Sequence, residues 1–261
     1  MTIKKANFAK IISTFCRKVR SKVFYNIAVL VFKIKWHRVL LLNMNQSSTY
    51  FSQDGQDHFL SSLLFNAIEQ NQFKWVVDVG CNHPIYFSNS YFFEKYLGCK
   101  VLAIDAQSSF QDVWSTLRPN SIFLSAAVGS INGSIDLYVN GSDILDGMFS
   151  FVQGGTPKSV SSNNIVKTRV PLFRLSMILD QNQISEILLL SIDIEGFEYD
   201  ALIGIDFAKV FIACICVENN SIFMGEDKIR KFLISHGYTF YARIANLDDI
   251  FLHKSVINGD R

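Results

Sequence analysis

Short apolar runs that end in acids recur along the chain. Ile187 to Ile192 is one, and it stops at Asp193-Ile194-Glu195-Gly196. A run of this length with β-branched residues predicts a buried strand, and the glycine behind the carboxylates predicts a sharp exit into a helix. Trp75 to Val79 is a second such run, with Asp78 inside it and Gly80-Cys81-Asn82-His83-Pro84 behind it. Lys100 to Ile104 is a third, and it ends at Asp105. Ligands of open parallel sheets bind beyond the carboxyl ends of the strands, so these acids are expected on one rim of a nucleotide-like pocket.

The segments between these runs carry helical periodicity. Helices are predicted over 57–70, 90–97, 108–117, 172–182, 199–202 and 228–235, and further strands over 121–128, 134–139, 210–217, 238–244 and 250–253. Strand alternates with helix, which predicts an α/β, doubly wound, mostly parallel sheet of about seven strands. The last two strands are joined by Ala245 to Asp249, too short for a parallel crossover, so they are expected as an antiparallel C-terminal hairpin. Gly141 to Lys167, rich in Gly, Ser and Asn, is long for a connection and is a candidate substrate loop.

With 49% hydrophobic and 18% charged residues, the 261-residue chain can bury a sizeable core as one domain plus an extension. The charge is divided unevenly. Residues 1–45 hold ten Lys or Arg and no acid, leaving 15 basic against 23 acidic residues in the rest. The expected organisation is therefore a basic arm over 1–45 and an acidic domain over 46–261. Phe8, Ile12, Phe15, Val19 and Val23 form one helical face of the arm, with Lys10, Arg17 and Arg20 opposite, the pattern of a helix lying in a membrane interface. The apolar run from Val23 to Phe32 is too short to span a bilayer, which needs about 20 residues. Packing of the arm on its own domain and an organelle transit peptide are the alternatives. Five cysteines without CxxC spacing point to core thiols in a reducing, cytoplasmic setting. The sequons at Asn132 and Asn140 are read as turn chemistry. Walker, GxSxG, HExxH and GxGxxG motifs are missing, and nucleic-acid binding would rest on the arm alone, so no nucleic-acid partner is expected.

An ordered set of motifs resembles the FkbM family of S-adenosylmethionine-dependent methyltransferases. The set comprises Val77 to Asn82, Ser191 to Glu198, Leu202 to Phe207, Val217 to Asn220 and Gly237-Tyr238, preceded by Ser52 to Asp57. The resemblance implies a Rossmann-like class I methyltransferase with a seven-stranded, mostly parallel sheet, and S-adenosylmethionine as cofactor. It implies cofactor contacts from Asp78, Gly80, Cys81 and Asn82 at the first turn, from Asp105 to the ribose hydroxyls, and from Ser125, Ala126 and Ala127 along the adenine. His83-Pro84 departs from the glycine-rich version of the loop, since proline removes an amide donor. His83 is read as a loop brace in preference to a general base.

The expected reaction is O-methylation of a hydroxyl on a sugar or other small polar acceptor, with Asp193, Glu195 or Glu218 as base and no metal. A metal-dependent nucleotide-sugar glycosyltransferase, with Asp193 and Glu195 holding the ion, is one alternative. A non-catalytic binding module that reaches a membrane through the arm is the other.

Overall fold

The computed structural model describes residues 50–70, 73–140, 151–152, 165–219, 226–245 and 247–259. The basic arm and most of the Gly141 to Lys167 connection lie outside these residues. The residues from Tyr50 onward form one compact unit.

In chain order the elements are α1 (Gln56–Leu63), α2 (Phe65–Glu69), β1 (Trp75–Val79), α3 (Tyr91–Leu97), β2 (Lys100–Asp105), α4 (Gln111–Leu117), β3 (Ile122–Ser125), β4 (Ala127–Val128), β5 (Gly133–Asn140) and β6 (Phe151–Val152). There follow β7 (Ile165–Phe173), α5 (Leu175–Gln181), β8 (Glu186–Ile192), α6 (Glu198–Ile203), β9 (Phe211–Glu218), α7 (Glu226–Ser235), β10 (Tyr238–Ile244), β11 (Asp248–His253) and α8 (Lys254–Asn258). A single 3₁₀ turn at Ser108–Phe110 leads into α4.

The main sheet has seven strands in the order β10-β11-β9-β8-β1-β2-β3. β1, β2, β3, β8 and β9 are mutually parallel, and β11 runs antiparallel to both β9 and β10. The hairpin expected from the short last connection is therefore present. β8 sits between β1 and β9, and all its residues after Glu186 are buried, which is why its sequence is apolar without alternation.

Each face of the sheet carries its own core. Val77, Val79, Leu102 and Ile104 point to one side with Leu175, Ile178 and Leu179 of α5, Leu202 of α6 and Leu233 of α7. Val76, Val101 and Ala103 point to the other, against Leu60 of α1, Phe93 of α3 and Trp114 of α4. Full burial of a Leu, Ile or Phe side chain contributes about 1.5–3 kcal/mol, so two such layers hold the strand ends at a fixed spacing.

A second sheet, ordered β4-β7-β5-β6, lies outside the expected scheme. β5 and β7 pair antiparallel from Gly133↔Leu172 to Asn140↔Ile165. The nine-residue β7 occupies residues expected as loop and helix, so the helix begins at Leu175 and not at residue 172. The expected strand 121–128 is likewise two strands, β3 in the main sheet and β4 in the small one. Helix 57–70 breaks at Leu64, whose backbone leaves the helical region between α1 and α2.

Candidate functional site

One cleft collects the carboxyl ends of the parallel strands. Its lining includes Asp78, Gly80, Cys81 and Asn82 from the end of β1, Asp105 from β2, Ala126 and Ala127 from the β3–β4 step, and Asp193 and Glu195 beyond β8. Leu137 of the small sheet and Phe197 close one side. Seven of the eight residues expected at the cofactor thus line one cleft with two of the three expected as base. Ser125 is not part of this lining; it pairs with Asp105 across β2 and β3.

The floor is built by backbone bonds between strand ends. The amides of Gly80 and Cys81 donate to Ile104 O at 2.8 and 3.2 Å, and the Asp193 amide donates to Val79 O at 3.0 Å. Gly80 has φ +80°, and a Cβ there would lie 1.7 Å from the carbonyl oxygen of Asp193. Close packing of two strand ends therefore requires glycine at this position, a reason additional to any approach by a ligand.

The loop after Gly80 is braced from several sides. Asp105 is buried, and its two oxygens accept from the Asn82 amide at 2.9 Å and the Gln107 amide at 2.8 Å. Burial raises its carboxyl to about 6, partly offset by those amides. Each oxygen keeps a further lone pair, so the carboxylate can brace the loop and still accept from a ligand. His83 Nδ1 accepts from the amides of Ile85 and Tyr86, both at 3.1 Å. An acceptor at Nδ1 cannot carry the proton, which makes this ring the brace expected for the His83-Pro84 departure. Burial pulls its pKa down from 6.5, in the same direction. The segment Ser52 to Asp57 reaches the same loop through a bridge between Ser52 and Phe87, and Gln53 joins the lining.

Asp78 is buried, and its Oδ2 makes no hydrogen bond among the described residues. Burial raises its pKa, while a hydrogen bond from the Ser90 side chain and the charge of Arg118 oppose the rise. An orphaned carboxylate oxygen in a cleft wall is a group awaiting a donor. An ammonium or hydroxyl of a bound ligand supplies one, so the residues present fit a nucleoside with an amino-acid tail.

The acids beyond β8 and β9 are arranged differently. Ligand-capable oxygens of Asp193, Glu198 and Glu218 lie within 4.8 Å of one another. Glu198 is buried at the start of α6, and its Oε1 accepts from the amides of Ile194 at 3.0 Å and Gly196 at 2.9 Å, which closes the turn between strand and helix. That turn holds Glu195 at φ +54° and Gly196 at φ +96°. Burial raises Glu198 to about 7, with Glu218 adding to the rise and the amides opposing it. Asp193 is exposed to the cleft, although many protein atoms surround its carboxyl. Its pKa is driven well up by that desolvation and by the carboxylates of Glu218, Glu195, Asp248 and Glu198.

Such a group of carboxylates can share a proton, accept one from a hydroxyl, or hold a cation. Among the described residues Asp193, Glu198 and Glu218 form one group that could hold a cation; Glu195, expected beside Asp193 in the glycosyltransferase alternative, lines the cleft but is not in that group. Glu198 was missed by sequence reasoning, although an acid in the first turn of a helix just after a strand-ending glycine is a capping signal. Elsewhere, Cys81, Cys99, Cys214 and Cys216 are free and buried, as core thiols should be. Asn132 Oδ1 accepts from the Arg174 amide at 2.8 Å, a bond between segments far apart in sequence and not the local turn bond expected of that sequon.

A seven-stranded, mostly parallel sheet with an antiparallel terminal hairpin, and a cleft at its strand ends, have the layout of class I methyltransferases. A family model described as the methyltransferase FkbM domain matches residues 78–240, more than half of the chain, and the protein belongs to that family. It is accordingly a methyltransferase. No curated protein matches the chain.

Proposed function

We propose that the protein is an S-adenosylmethionine-dependent O-methyltransferase whose acceptor is a hydroxyl of a sugar or similar small polar molecule. The observation that carries the reading is the shared cleft, which Asp78, Asp105 and Asp193 all line. In this reading Asp78, Gly80, Cys81 and Asn82 contact the amino-acid part of the cofactor, Asp105 the ribose, and Ala126 and Ala127 the adenine. The bound sulfonium supplies an activated methyl group. The protein's own work is then to align the acceptor oxygen and remove its proton. Asp193 is the base that best combines cleft exposure with raised proton affinity, and Glu218 and Glu195 tune it electrostatically.

Calorimetric titration tests the reading. Binding of S-adenosylmethionine and of its demethylated product, without binding of nucleotide sugars, is the expected result. The grouping of Asp193, Glu198 and Glu218 favours one rival, a metal-assisted transfer. Turnover that survives EDTA supports the metal-free mechanism; turnover lost to EDTA and restored by magnesium or manganese overturns it.

The acceptor's partner surface and the arm form a second part of the proposal. No described helix is long and apolar enough to cross a membrane. Residues 1–45 are acid-free and amphipathic in sequence, which supports peripheral contact with anionic lipid. Cosedimentation with anionic vesicles should be salt-sensitive for the full chain and weak for residues 50–261 alone; equal binding by both forms argues against it.

A further inference from the structure

We propose that Arg118 is a positioning residue for the cofactor, holding the loop from Asn82 to Ser90 in one arrangement and keeping Asp78 aimed into the cleft. The inference rests on the reading of that cleft as the S-adenosylmethionine site. Arg118 follows α4, at a distance in sequence from every residue expected to touch a ligand, and nothing in its local sequence marks it.

Arg118 is only 3% exposed, and an arginine is rarely buried so deeply unless it is paired. Its Nε donates to Glu94 of α3. Its Nη1 donates to Pro84 O at 3.1 Å, Ser90 Oγ at 3.0 Å and Ser88 Oγ at 3.3 Å. The guanidinium lies 4.4 Å from the centre of the Trp114 ring and 5.5 Å from that of Tyr91. Trp114 in turn donates its indole N–H to Asn82 O at 2.7 Å. Two neighbouring parts of one helix end therefore hold both ends of the loop.

The loop needs holding. Asn82 and Phe87 have φ of +47° and +60°, left-handed conformations that L side chains keep only where the surroundings over-determine them. Arginine suits the task because its planar fork meets Glu94 and the loop at the same time, whereas lysine offers a point charge on a flexible stem. Ser90, whose Oγ accepts from Arg118, and the charge of Arg118 both oppose the rise in the pKa of Asp78, so the cation acts electrostatically on the cleft carboxylate. Asp105, Cys81 and Cys216 are the other titratable groups that act on or feel Asp78, and none of them is cationic.

The experiment uses the full chain with Arg118→Gln, Arg118→Lys and Ser90→Ala. Hydrogen exchange of the cofactor-free protein reads the loop directly, and calorimetry with S-adenosylmethionine between pH 6 and 8 reads the consequence. Arg118→Gln should speed exchange over 82–91 at least about tenfold with β8 and β9 unchanged. It should also weaken binding about tenfold or more, with a steeper fall toward low pH than in the unaltered protein, because Asp78 loses a charge that lowers its pKa. Arg118→Lys should restore the pH dependence of the unaltered protein without restoring loop protection, a split that a purely structural role does not produce. Ser90→Ala, which leaves the core intact, should reproduce the pH-dependent loss on a smaller scale if Arg118→Gln does not fold. Wild-type exchange and affinity in Arg118→Gln overturn the proposal, as does a pH profile of binding in Ser90→Ala that matches that of the unaltered protein. Failure of the unaltered protein to bind S-adenosylmethionine is a separate result: it overturns the cofactor reading, and the accelerated loop exchange then identifies Arg118 as a structural brace only.

Discussion

The ends of β1 and β2 and the end of β8 lie on the same cleft, yet their carboxylates have different neighbours. On the first side Asp105 is held by two backbone amides, and Asp78 is moderated by Ser90 and Arg118. On the second, the charged groups acting most strongly on Asp193 are four further carboxylates. Burial raises all of these acids; the amides, Ser90 and Arg118 limit the rise on the first side, which suits holding a ligand, whereas crowding adds to it on the second, which suits taking up a proton. In the proposed reading one rim grips and the other reacts.

The largest test of that division is Asp193→Asn. It should lower methyl transfer by about 10²–10⁴-fold, the span of general-base contributions, and leave S-adenosylmethionine affinity within a few-fold. Initial rates and calorimetry on the same preparation decide it, and a parallel collapse of affinity would erase the distinction between the rims.

Asp105→Ala probes the gripping side. It strands the amides of Asn82 and Gln107, each at a cost of roughly 1–3 kcal/mol, and removes a charged acceptor from the cleft. Cofactor affinity should fall together with unfolding stability measured in denaturant. Loss of affinity at unchanged stability would mean that the carboxylate serves the ligand alone.

Gly80→Ala strikes the seam between the two sides. The new methyl would overlap the Asp193 carbonyl in a left-handed backbone, so β1 and β8 must part at their ends. The expected loss is about 1–3 kcal/mol in chemical denaturation, as for other overpacked sites. A fully stable variant would show that the strand ends are not tightly joined.

The smallest effect concerns Glu198. Its carboxyl rises from 4.5 to about 7 on folding, so the folded state holds the proton more tightly than the unfolded chain. The stabilisation is complete below about pH 4.5 and drains away as pH rises through about 7. Glu198→Gln keeps an acceptor for the Ile194 and Gly196 amides but cannot titrate. Its thermal midpoint should therefore fall less steeply between about pH 4.5 and 7 than that of the unaltered protein. Asp105 contributes in the same direction only up to about 6, which leaves the interval from about 6 to 7 to Glu198. Identical slopes would place the titrating group elsewhere.

The amino-acid sequence by itself determined the parallel strands of the main sheet, the closing hairpin and the acids at the strand ends. Buried strands such as Glu186–Ile192 leave unbroken apolar runs, and the acid or glycine that ends each run marks the rim. The motifs at Asp78 and Asp193 are local, so they could be read before anything was folded. The small sheet was different. β7 contains Lys167, Arg169 and Pro171, and only its pairing with β5 makes a strand of it, because a two-sheet junction rewards cross-strand contacts that local propensity does not record. The tertiary structure alone decided which acids meet. Glu198 and Glu218 are 20 positions apart in sequence and join Asp193 because β8 and β9 are neighbours. Arg118 likewise reaches Pro84 and Ser90 only because α3 and α4 pack on one face of the sheet, and long-range electrostatics of this kind has no signature in a chain read residue by residue.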